Sequence, residues 1–75
     1  MSDVTITGTL SRLLPRHGGG ITATLTHPEF QTAVTFPSQI HSDYTDLIHA
    51  GSLVTIQGHW DASAILVTTV KAATR

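Results

Sequence analysis

Threonine alternates with aliphatic residues along much of this chain. Val4-Thr5-Ile6-Thr7 opens the pattern, Ile21-Thr22-Ala23-Thr24-Leu25-Thr26 repeats it, and Leu53-Val54-Thr55-Ile56-Gln57 resumes it. Successive side chains of a strand point to opposite faces, so a period of two describes strands with one buried and one wet face. A β-branched hydroxyl residue suits the wet side.

The first strand covers residues 4–10, with Val4, Ile6 and Leu10 inward. Residues 12–20 hold Pro15, Arg16, His17 and three successive glycines, and read as a flexible loop. The second strand turns Ile21, Ala23 and Leu25 inward. His27-Pro28-Glu29 then reverses the chain into residues 30–36, where Val34 and Phe36 face inward and Gln31 and Thr35 outward, a hairpin partner for the second strand. At Pro37 the period changes. Ile40, Tyr44, Leu47 and Ile48 fall on one face of a helix expected over residues 38–49, with Ser38 as its cap and Gly51 as its stop. Residues 53–60 return to a period of two, with Val54 and Ile56 inward and Gly58 marking a bend or bulge. Asp61-Ala62-Ser63 is a turn, residues 65–70 are a fifth strand, and residues 71–75 are a tail, ordered only if something holds it.

Seventy-five residues suffice for one domain with one small core. With 40% apolar and 12% charged residues, the composition is not that of a disordered segment. Four Lys and Arg against five Asp and Glu give a formal charge of -1, which excludes a strongly basic footprint and makes any nucleic-acid binding local or weak. The absence of cysteine removes disulfides, thiolate metal sites and thiol nucleophiles. Met1-Ser2-Asp3-Val4-Thr5 has no basic region followed by an apolar stretch, and no apolar run is long enough to span a bilayer. The expectation is a soluble, cytoplasmic protein with no membrane partner.

The order β-β-β-α-β-β, with the helix between strands three and four, is that of an OB-fold, an all-β five-stranded Greek-key barrel. Gly8 and Gly58 inside strands fit the sharp curvature of so small a barrel. The run Phe36-Pro37, Tyr44, Leu47-Ile48, Gly51, Leu53-Val54, Ile56, Gly58 resembles the OB domain of the bacterial DNA polymerase III alpha subunit. That match covers roughly residues 30–70 and rests mostly on core and turn positions. What the resemblance implies is binding of single-stranded nucleic acid, DNA ahead of RNA. The polymerase family's catalytic carboxylates lie in other domains, and none of them has a counterpart here.

An OB-fold takes its ligand across strands two and three, between the loop joining strands one and two and the loop joining strands four and five. That surface offers Thr22, Thr24, Thr26, Gln31 and Thr35, flanked by Arg12, Arg16 and His17 on one side and by His59, Trp60 and Asp61 on the other. Hydroxyls, an amide, two permanent cations and a large aromatic can hold a few nucleotides by phosphate contact and base stacking, with Asp61 opposing. The bland alternative is that Thr is merely a good exposed strand former and that the arginines solubilise. Trp60 shares the inward parity of Val54 and Ile56, so it either plugs the barrel end or stacks on a base. Phe30, Phe36 and Tyr44 are assigned to the core.

His17, His27, His41, His49 and His59 fall in separate elements and form no ligand motif, so neither a metal nor another cofactor is expected. Their titration would carry the formal charge from -1 toward +4 and strengthen nucleic-acid binding between pH 8 and pH 6. His17-Gly18-Gly19-Gly20 lacks the Lys and Ser or Thr of a phosphate-binding loop, and no nucleophile elbow or paired carboxylate points to an enzyme. The reading is a single-stranded DNA- or RNA-binding protein of low sequence specificity, accessory to replication, repair or DNA transfer, with a replication or repair protein or a second copy of the chain as further partners. The alternative is a protein-interaction or assembly module, which outward Leu53 and Leu66 would serve. Steep salt dependence would mark the first.

Overall fold

The computed structural model describes residues 3–73. Five strands and one short helix follow in the order β1 (Asp3–Pro15), β2 (Ile21–His27), β3 (Phe30–Phe36), α1 (Ser38–Asp43), β4 (Leu53–Asp61) and β5 (Ala64–Ala72). The strands close into a barrel in the order β1-β2-β3-β5-β4, all antiparallel except β3 with β5. This is the OB-fold arrangement expected from the order of elements. Among the described residues, no helix is long and apolar enough to cross a membrane.

The alternation sorts side chains as read. Leu10, Leu25, Val34, Phe36, Val54, Ile56 and Ile65 have no exposed surface, so every strand contributes to one interior. No polar side chain among the described residues is buried in it. A core this small depends on its largest occupants, and Phe36 heads them.

Two glycines let the wall bend. A Cβ on Gly8 would lie 2.5 Å from the Thr26 carbonyl oxygen, and one on Gly58 would lie 2.2 Å from that of Leu66. Any side chain at either position would strike the neighbouring strand's backbone, so the closeness of the strands selects glycine there. Near Gly58, Gln57 pairs with Thr69 while Gly58 pairs with Val67, so β5 carries one extra residue. The Thr68 hydroxyl donates to the Gln57 carbonyl at 3.0 Å, occupying an acceptor at that irregularity.

β1 runs further than its alternation suggests. Ser11 pairs with Thr24 but Leu14 with Thr22, which inserts one extra residue and puts Arg12 at φ 53°. The bulge resets parity, so Leu13 packs against the core while Leu14 is 63% exposed. The loop joining β1 to β2 is therefore only residues 16–20 and is closed on itself. Arg16 N–H donates to the Gly20 carbonyl and Gly19 N–H donates to the Arg16 carbonyl, each at 3.2 Å. Gly20, at φ 79°, presses against the end of β3, where a Cβ would lie 2.6 Å from the Phe36 carbonyl oxygen.

The helix expected over residues 38–49 is a correction. α1 ends at Asp43, and Pro37 rather than Ser38 occupies its N-cap position, without a side-chain hydrogen bond. Past α1 the Thr45 hydroxyl donates to the carbonyls of His41 at 2.7 Å and Ser42 at 3.2 Å, a local competition that unsettles helices. The chain continues in turns, with Leu47 N–H on the Tyr44 carbonyl at 2.9 Å. The apolar face survives nonetheless: Ile48 is buried, and Ile40, Tyr44 and Leu47 pack against the core. Of the expected tail, Lys71 and Ala72 belong to β5, Ala73 N–H donates to the Leu53 carbonyl at 3.1 Å, and Thr74 and Arg75 lie outside the described residues.

Candidate nucleic-acid interface

Strand register lays the outward side chains in rows across the barrel. One row runs His59, Leu66, Thr35, Thr22, Leu14 over all five strands. The next runs Asp61, Ala64, Ala33, Thr24, Ser11, and the third joins Gln31 to Thr26 and Thr9. Of the residues expected at the site, Thr22, Thr24, Thr26, Gln31, Thr35 and His59 thus occupy one continuous outer surface. Methyls and hydroxyls dominate it, and Asp61 at its edge is the one charged side chain on the three rows.

The remaining site residues sit at two diagonal corners of this patch. Pro15 pairs with Ile21 beside the first row, so the loop that follows carries Arg16 and His17 to that corner, both exposed, with exposed Arg12 on the adjacent bulge. The β4–β5 turn stands level with the second row on the far side, because Asp61 pairs with Ala64. Trp60 precedes it. Trp60 keeps the inward parity read from the sequence, opposite buried Ile65, yet is 50% exposed, because among the described residues β1 pairs with β4 only as far as His59 and leaves Trp60 a partner strand on its β5 side alone. Compared with models of known protein families and with curated proteins, the chain matches none.

The site is thus defined by its own residues, and two of them escape the sequence reading. Phe30, assigned to the core, is corrected: it is 43% exposed, because it pairs with His27 at the hairpin tip, three positions beyond the point where β5 begins to cover β3 at Ala33. Its ring stacks on that of His27 with centroids 4.6 Å apart and planes 17° from parallel. Being the first residue after a two-residue turn was the available signal, since strand ends outrun a short barrel. Leu14 escapes too, hidden by the parity break at Arg12. Among the described residues, no group of three His, Asp or Glu side chains converges as a metal site would require.

The patch can therefore do two things chemically. Its corner with Arg12 and Arg16 can contact phosphate, and its exposed rings, Trp60 and Phe30, can stack on flat aromatic groups. Between them lies an uncharged, hydroxyl-rich strip.

Proposed function

We propose that this chain binds single-stranded nucleic acid, DNA ahead of RNA, across the outer face of β2 and β3 with little sequence preference. The observation that supports it most is Trp60. A tryptophan half exposed at the corner of a surface of hydroxyls, opposite two arginines, suits stacking on a base whose neighbours' phosphates reach the other corner. In this reading the protein is an accessory to replication, repair or DNA transfer, acts by binding rather than catalysis, and works in a bacterial cytoplasm, as the resemblance to the polymerase III alpha OB domain implies.

The test is fluorescence anisotropy with labelled oligo-dT, oligo-U and duplex DNA at low and moderate salt, with Trp60 emission followed in parallel. Binding to single strands that quenches Trp60 and weakens with salt is the expected result. No binding at tens of micromolar protein in low salt would sink the reading. A second reading, docking of another protein, draws on Leu14 and Leu66, which bracket Thr22 and Thr35 in the first row with apolar side chains. Such an interface would be insensitive to salt.

A further inference from the structure

At Thr9 the first strand changes partners. Residues 3–9 of β1 pair with β4, and β1 pairs with β2 from Thr9 to Pro15. Below Thr9 the tip of the β2–β3 hairpin therefore diverges from β1, and a cleft of about 500 Å³ opens between them. Thr7, Thr9 and Thr26 supply hydroxyls to its lining, and Gly8, His27, Pro28 and Leu53 complete it. This lies away from the corners holding Arg16 and Trp60.

We propose that this cleft receives one nucleobase. The inference rests on the single-strand reading for its main source of bases and extends the site beyond the β2–β3 face. Four observations carry it. The lining is free of charged side chains, so it suits an uncharged flat ring with polar edges and not a phosphate or a carboxylate. A few hydroxyls in an otherwise apolar lining are what a ring-binding pocket of this volume needs to fix orientation.

His27 is held in place twice. Its ring stacks on Phe30, and its Nδ1 accepts the Glu29 N–H at 3.1 Å, which leaves Nε2 as the donor of the neutral ring. A side chain so fixed has little freedom left to lose on binding. Finally, Thr26 belongs both to the cleft and to the outward series Thr22, Thr24, Thr26 on β2. A strand lying along that series brings its next base to the cleft.

The test is a titration of the ¹⁵N-labelled protein with dT8 and, separately, with thymidine and adenosine, together with anisotropy on Thr9→Phe, which puts a ring at the cleft lining, and Trp60→Ala, which lies outside the lining. Expected are amide shifts at Thr7, Gly8 and Leu53, which lie off the outer rows, as well as at Thr9 with dT8, and about tenfold or more loss of dT8 affinity in Thr9→Phe. If dT8 binds while those amides stay unmoved, and Thr9→Phe binds as the parent does, the cleft proposal is overturned and the single-strand reading stands. If dT8 fails to bind but a nucleoside moves the cleft amides, the strand reading falls and the cleft stands as a site for free bases. If dT8 fails to bind and neither nucleoside moves those amides, both are overturned. Should Thr9→Phe fail to fold, the amide map of the parent protein decides.

Discussion

Thr7 and Thr55 face each other across β1 and β4 with their hydroxyl oxygens 2.7 Å apart. Cross-strand Thr pairs on a wet face contribute roughly 0.2–1 kcal/mol. Thr55→Ala should therefore lower stability by about 0.5–1 kcal/mol in urea unfolding. The double variant Thr7→Val, Thr55→Val should lie close to the parent, because it removes both hydroxyls while keeping the branched shape. A double variant worse than the sum of its singles would show that the pair does more than hydrogen-bond.

The bend at Gly58 admits no side chain. Gly58→Ala forces a methyl against the Leu66 carbonyl and should cost about 3 kcal/mol or more, a large part of the total stability of so small a domain. Gly18→Ala is the control: nothing lies within 4 Å of the new methyl, and only its φ of 88° resists, at about 1–2 kcal/mol. Circular dichroism melts of the two variants rank the effects.

Ala62 sits at φ 59° in the two-residue turn between β4 and β5. A residue with a Cβ is strained there and glycine is not. Ala62→Gly should raise stability by about 0.5–1 kcal/mol, visible as a melting temperature several degrees higher.

Stability and binding separate at the aromatics. Phe36→Ala removes the largest fully buried side chain and should cost roughly 3–5 kcal/mol, close to unfolding the protein. Trp60→Ala, at a half-exposed position, should leave the melt within a few degrees of the parent yet weaken binding to oligo-dT by roughly 1–3 kcal/mol. A Trp60 variant that melts like Phe36→Ala would make that ring a plug instead of a platform.

Two arginines at one corner of the patch set the salt dependence. If Arg12 and Arg16 each neutralise one phosphate of a single strand, log K should fall against log salt with a slope of about -1.4. Arg16→Gln should halve that slope.

The strand interiors were legible because burial follows parity wherever a strand is covered on its inner side: Leu25, Val34, Phe36, Val54 and Ile56 all went where alternation sent them. Parity misleads where cover stops. Phe30 and Trp60 keep inward positions at strand ends where a neighbouring strand no longer pairs, β5 beside Phe30 and β1 beside Trp60, and both emerge into solvent. It also misleads across a bulge, as when Arg12 turns Leu13 in and Leu14 out. The apolar spacing of Ile40, Tyr44 and Ile48 identified the face that closes the barrel, but not how little of it is helix, since turns can hold the same side chains on the core. Thr22, Thr24 and Thr35 fell on the expected surface. The cleft had no sequence signature, since it arises from the way β1 parts from β2.

Because β4 is held on one side by residues 3–9 of β1, some fifty positions earlier, and on the other by the strand that follows it, the wall cannot close until β4 and β5 have both arrived. A nascent chain ending after α1 would be an open three-stranded sheet showing Leu25, Val34 and Phe36 to water on its inner face and leaving β3 as an unpaired edge, a template for aggregation. Folding must then follow synthesis of β5, with the loop-closure entropy of its long-range contacts setting a pace of milliseconds to seconds.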